Sequence, residues 1–179
     1  MTIVIILLVI AVVVMFLYNG LVKNRNKVEE SWSGIDVQLK RRYDLIPNLL
    51  ETVKGYAAHE KGIFDNIANA RAKAMSGGTV TDQANSENAL TQSLRSLFAI
   101  AENYPDLKAN TNFQQFQGEL TNIEEQIQMA RRYYNATVRD YNNSVETFPG
   151  VIIANAFNFG KKDYFEVEDA QKETPQVKF

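Results

Sequence analysis

The chain has 179 residues with 19 basic and 21 acidic side chains, one histidine and no cysteine. Near-neutral charge argues against a nucleic-acid binder, because no strong positive field is available to hold phosphates. The missing cysteine excludes disulfides, thiolate metal sites, cysteine nucleophiles and lipidation at an N-terminal cysteine.

The first element is an anchor. Ile3 to Leu17 is an unbroken apolar run. As a helix it measures about 22 Å, short of the roughly 30 Å hydrocarbon layer, whereas Met1 to Val22 gives about 33 Å. Residues 1–22 are therefore expected to span a membrane, with Tyr18 at the interface. A cleaved signal peptide fits less well: no Lys or Arg precedes the run, and no small-x-small cleavage site follows it. Lys23, Arg25 and Lys27 lie just beyond the run. By the positive-inside tendency they place the following domain in the cytoplasm and the N-terminus outside. They also sit where anionic lipid headgroups would meet them.

Residues 23–160 are expected to form an all-α domain: an elongated antiparallel bundle of three long helices and a short C-terminal one. The first seam alternates in steps of four and three through Val28, Trp32, Ile35, Leu39, Arg42, Ile46, Leu49, Val53, Tyr56, Glu60, Ile63 and Ile67. Only Arg42 and Glu60 interrupt it, and the period is near 3.5. This predicts one helix to about Ala74, with a kink or break near Arg42–Leu45 imposed by Pro47. Only Asn19-Gly20 separates the anchor from the seam, so the two are expected to form a near-continuous rod.

Ser76-Gly77-Gly78-Thr79 reads as a stop, followed by a loop to Asn88 with Asp82 or Ser86 as the next N-cap. A second helix carries Leu90, Leu94, Leu97, Ala101 and Tyr104 and ends in a turn at Pro105-Asp106. A third, capped by Asn112 with Gln115 reaching back, carries Phe113, Phe116, Leu120, Ile123, Ile127, Ala130, Tyr134, Val138, Tyr141 and Val145. Within it Tyr-Asn-x-x-Val occurs at 134–138 and again at 141–145, a heptad apart. Gly150 to Phe159 suits a short helix, and residues 161–179 a tail pinned to the bundle by its aromatics.

Several strings match a known family. They are Tyr18-Asn19-x-Leu21-Val22, Arg25-Asn26-x-Val28, and Trp32-Ser33-x-Ile35-Asp36-Val37-Gln38-Leu39-Lys40-Arg41-Arg42-x-Asp44-Leu45-Ile46-Pro47-Asn48-Leu49. Further on come Gly55-Tyr56-x-x-His59-Glu60, Ala70-Arg71, Glu102-x-Tyr104-Pro105-Asp106-Leu107, Ala130-Arg131-x-Tyr133-Tyr134-Asn135 and Val177-x-Phe179. Together they resemble the LemA family over nearly the whole chain. The resemblance implies a bacterial protein with one N-terminal transmembrane helix and a soluble helical bundle, and no known catalytic activity or cofactor.

The side-chain inventory argues the same way. His59-Glu60 lacks the second histidine of a zinc-protease motif, and Gly77-Gly78 is not followed by the Gly-Lys-Ser/Thr of a phosphate loop. Glu119, Glu124 and Glu125 cannot complete a di-iron site without Glu-x-x-His pairs on two helices. No catalytic, cofactor or metal-binding residue is expected. The polar set Arg42, Asp44, Pro47, Asn48, Glu60, Arg71 and Arg131 is the candidate interface. Arg42 either pairs with a carboxylate on a neighbouring helix or helps bind another subunit, and Arg71, Arg131 and Arg132 are candidates to meet Glu60. Three functions follow in descending order of fit: a membrane-anchored scaffold that self-associates, a regulatory partner of another membrane protein such as a protease or transporter, and a carboxylate-based hydrolase. The last would need a concave pocket with convergent titratable groups.

Overall fold

The computed structural model describes residues 1–166 and is all-α: six helices and, among the described residues, no strand. Helix α1 runs from Thr2 to Lys54 as one continuous element. It passes Asn19-Gly20 without a linker, as the near-continuous rod requires. It also stays helical through Pro47, so the expected break near Arg42–Leu45 is absent. The break falls later, at residues 55–60, and Lys61–Met75 forms a separate α2. Gly55, a weak helix former, follows the last helical residue, and a turn closes there with the Ala57 amide donating to the Val53 carbonyl at 2.9 Å. The seam shifts with it: Ala57 is buried while Tyr56 is 42% exposed.

Helix α2 ends before Gly77 and Gly78, both at positive φ, a region open to glycine without steric cost. Helix α3, Val80–Ala101, starts earlier than expected. The expected loop to Asn88 is mostly helix because Thr79, not Asp82 or Ser86, is the N-cap. Its hydroxyl accepts from the Asp82 amide, and the Asp82 carboxylate accepts from the Thr79 amide, a reciprocal box that satisfies two orphan donors. Pro105 opens a one-turn α4, Pro105–Lys108, instead of a simple turn. Helix α5, Thr111–Glu146, is capped by Asn110, whose side chain accepts from the Phe113 amide, so the cap lies two residues before Asn112. Helix α6 covers Gly150–Ala156.

Contacts divide the chain into two compact units, and α1 and α5 contribute to both. The first contains Met1–Asp36 and Gln128–Tyr164. Here α1 and α5 run antiparallel in a fixed register: Ser31 meets Thr137 at 2.8 Å between hydroxyls, and Asn24 donates to the Ser144 hydroxyl at 3.3 Å. Seven residues back along α1 correspond to seven residues forward along α5. Leu21, Val28, Ile35, Tyr134, Val138, Tyr141 and Val145 are buried between them.

The second unit contains Val37–Ile127 together with Phe165 and Glu166. Its core joins the α1 residues Leu39, Ile46, Leu49 and Val53 to Phe64 and Ile67 of α2, Leu90, Leu94 and Leu97 of α3, and Leu120 and Ile123 of α5. Phe165 is buried as well, at 1% exposure. The rest of the expected packed tail, with Val177 and Phe179, lies outside the described residues.

Candidate functional site

The two interruptions of the apolar seam have different fates. Arg42 is 3% exposed and fully engaged within its own chain. Its Nη1 donates to Glu124 Oε2 at 3.0 Å and stands 3.7 Å from Glu87 Oε2, while its Nη2 donates to the Thr91 hydroxyl at 2.5 Å. A seam position expected to hold an apolar side chain thus carries a charge that α3 and α5 neutralise. Such a pair fixes register more dependably than it stabilises, since desolvating both ions offsets much of their attraction.

The neighbouring residue extends the cluster. Tyr43, 8% exposed, donates its hydroxyl to Glu87 Oε1 and accepts from Gln83 Nε2 at 3.1 Å. Gln83 also donates to Glu87 Oε1 at 2.8 Å and to the Ala74 carbonyl at 3.0 Å, which ties the end of α2 to α3. The Tyr43 carbonyl accepts from Arg71 Nε at 2.8 Å. Arg71 therefore serves α1, not Glu60. Burial pushes the Glu87 carboxyl above the usual glutamate range, and the Tyr43 and Gln83 hydrogen bonds and the Arg42 charge only partly counter it. The Tyr43 hydroxyl is also pushed well up, first by burial and then by its bond to Glu87.

A surface cleft of about 260 Å³ opens beside this cluster, lined by Arg42, Thr91, Leu94, Phe98, Leu120 and Glu124. Arg42 bonds Thr91 and Glu124 there, while Arg95, Thr121 and Glu125 also line the cleft, and most of its exposed wall is apolar. Among the described residues no group of three His, Cys, Asp or Glu side chains is placed to hold a metal ion. Glu60, half-buried, accepts from the Tyr104 hydroxyl at 3.0 Å. His59 is exposed, as are Asp44, Pro47 and Asn48, which share no side-chain contact with Arg42. The polar set is therefore not one site. Arg42 is buried and Arg71 half-buried in the second unit, Asp44, Pro47 and Asn48 lie on the outside of α1, and Arg131 is buried in the first unit.

The first unit holds the other candidate surface. Residues 1–13 are exposed, and α1 carries near the N-terminus an 18-residue apolar window long enough, by length and composition, to cross a membrane. At its end the Tyr18 ring meets Phe157 edge-on at 4.9 Å and Phe159 at 5.6 Å, and the Arg25 guanidinium lies 5.5 Å over the Phe159 ring. Lys23 and Lys27 are exposed beside them.

The Tyr-Asn heptad on α5 proves to hold this region together. The Tyr141 hydroxyl donates to the Gly160 carbonyl at 2.9 Å and the Tyr134 hydroxyl to the Asp163 carbonyl at 3.0 Å. The Asn142 side chain both donates to the Lys162 carbonyl and accepts from its amide, each at 2.9 Å. The repeated tyrosines read as core from the sequence. The signal that they also clamp a non-helical segment lay in their hydroxyls, which a buried position must satisfy.

Comparison with known proteins adds the lineage. The chain is 22% identical over 189 residues to magnetosome protein MamQ of Magnetospirillum gryphiswaldense, a match covering 89% of this chain and 70% of that one. It is 22% identical over 179 residues to magnetosome protein MamQ 1 of Paramagnetospirillum magneticum, covering 86% and 66%. It is 23% identical over 155 residues to protein LemA of Metamycoplasma hominis, covering 86% and 71%. The sequence pattern of the LemA family matches residues 31–179, and the chain belongs to that family.

Proposed function

We propose that this protein is a single-pass membrane scaffold that self-associates through the outer face of α1, with its helical domain on the cytoplasmic side. The observation that carries the reading is a charge pattern. Val37, Arg41, Asp44, Asn48 and Glu51 follow one another at helical spacing, and all are exposed. Arg41 and Glu51 are equally far from position 46, and so are Asp44 and Asn48. Two copies of α1 crossing antiparallel about a two-fold axis at that level would set Arg41 against Glu51 and Asp44 against Asn48. An interface of this kind is self-complementary, as two-fold symmetry demands. Because α1 is one continuous helix from the anchor to Lys54, such an antiparallel pair points its two anchors in opposite directions, so the contact joins copies held in two facing membranes. The basic residues after the apolar run, Lys23, Arg25 and Lys27, support the cytoplasmic placement.

The test is the assembly state of the full-length protein in mild detergent. Arg41→Glu is expected to weaken association several-fold, and Arg41→Glu with Glu51→Arg to restore it. A wild-type protein that stays monomeric at high concentration refutes the scaffold. A stable complex with an unlike chain that survives Arg41→Glu would instead favour the regulatory-partner reading.

A further inference from the structure

The antiparallel register in the first unit fixes the level of the α5–α6 turn. Ser31 lies opposite Thr137 and Asn24 opposite Ser144. Continuing that register sets Phe148 level with Gly20, where the apolar run of α1 has just ended. Three observations agree. The Phe157 ring sits against Tyr18. The turn into α6 is tight: a Cβ on Gly150 would run into the Ser144 carbonyl, so α6 is held against the end of α5. Finally, Val14 and Leu17 are less exposed than the α1 residues before them.

What this turn shows to the outside is apolar. Phe148 is 80% exposed, Ile152 57% and Phe157 53%. Large apolar side chains in a short segment, at the level where a spanning helix leaves the hydrocarbon, continue its apolar surface sideways. The run Ile3–Leu17 is about 22 Å long, and a bilayer core is about 30 Å thick, so added apolar surface beyond Leu17 compensates part of the mismatch. Farther out the surface turns basic. Arg25, Lys161 and Lys162 line a depression of about 280 Å³ with Tyr141 and Phe159. The Asn142–Lys162 bonds place it near the level of residue 26, about 9 Å beyond Gly20. Aromatic and aliphatic groups below, cations above, is the order in which a leaflet presents acyl chains and anionic headgroups.

We infer that the 147–157 turn is a second membrane-contact element, with Phe148, Ile152 and Phe157 seated in the acyl–headgroup boundary of the leaflet that α1 exits and Arg25, Lys161 and Lys162 facing its anionic headgroups. The inference rests on α1 spanning the bilayer and is independent of self-association. It turns the tether into a two-point mount: one helix through the membrane and one turn resting on it.

The natural chain has no cysteine, so single labels report without background. Full-length protein carrying Phe148→Cys or Ile152→Cys, each labelled with a polarity-sensitive fluorophore, is reconstituted in mixed phosphatidylcholine and phosphatidylglycerol vesicles with lipids brominated near the top of the acyl chain. Tyr18→Cys is the positive reference. Tyr133→Cys, exposed and about 22 Å farther along the unit by the same register, is the negative one. The expected result is a blue shift and lipid quenching at 148 and 152 comparable to Tyr18 and several-fold above Tyr133. Quenching at Tyr18 alone overturns the second contact and leaves the anchor standing. Quenching at none of the three overturns the anchor with it. Labels at 148 and 152 shielded both from lipid and from aqueous iodide would mean that protein covers the turn, and would also overturn the inference.

Discussion

Each unit buries a polar pair between α1 and α5 or α3, and the two pairs are built on opposite principles. In the first, the Ser31 and Thr137 hydroxyls lie 2.8 Å apart, and each lies 2.7 Å from a carbonyl of its own helix, Val28 and Tyr134; with one proton each, one hydroxyl donates across the pair and the other donates to its own helix. That pair is neutral and locally satisfied, so losing it leaves little stranded. In the second, Arg42 bonds Glu124 and faces Glu87, so that removing one partner strands a charge. Buried polar residues on one helix can therefore differ several-fold in consequence, and what separates them is charge and not depth.

The largest effect belongs to Arg42. Arg42→Leu leaves Glu87 and Tyr43 without their cation and is expected to cost about 3 kcal/mol, read as a lowered urea midpoint of the full-length protein in detergent. An unchanged midpoint would mean that the ionic cluster is no more demanding than the hydroxyl pair. A sharper version uses pH. The folded Glu87 carboxyl is raised above its ordinary value of 4.5, chiefly by burial. The folded state therefore keeps a proton that the unfolded chain releases. Its contribution to stability is full below 4.5 and is lost as pH rises through the folded value. Wild type minus Glu87→Gln, which cannot titrate, should fall with rising pH over that window. A flat or rising difference contradicts the burial argument.

Ser31→Ala should cost about 1 kcal/mol and show no pH dependence, and the same holds for Thr137→Ala. The smallest expected effect is at a helix end. Thr79→Ala breaks the α3 capping box and should cost about 0.5–1 kcal/mol, detectable as earlier fraying of α3 amides in hydrogen exchange. If Thr79→Ala exceeded Arg42→Leu, the ranking by stranded charge would fail.

Much of this architecture is legible in the sequence, because a period near 3.5 survives any uncertainty about partners. Leu90, Leu94, Leu97, Leu120, Ile123, Ile127, Val138 and Val145 are read as core and are buried. The errors lie at helix ends. The seam period carries straight across Gly55, so a helix break there looks like a mild weakening, the low helix propensity of one glycine being its local sign. Pro47 does not end α1: it is exposed, its neighbours Ile46 and Leu49 are at 0% exposure, and the helix continues past it to Lys54. The α3 start was misplaced because Asp82 suits both N-cap and N3, and Thr79 decides between them.

The candidate site was legible as residues and not as geometry. Arg42 stands out in the seam, but its partners, Glu87 and Glu124, are 45 and 82 positions away. Nothing local distinguishes them from solvated glutamates. The role of the Tyr-Asn heptad was hidden for a related reason, as its partners are backbone carbonyls of residues 160–163 with no sequence signature.

The central claim is that copies of the chain meet across α1 near position 46. Disulfide trapping of Pro47→Cys in native membranes, compared with Val37→Cys on the same helix, tests it most directly. Both positions are exposed, but position 47 lies next to the proposed two-fold axis, and Val37 is about 15 Å farther along the helix. The account predicts a covalent dimer under mild oxidation for Pro47→Cys and little for Val37→Cys. No dimer at position 47, or equal trapping at both positions, would contradict it.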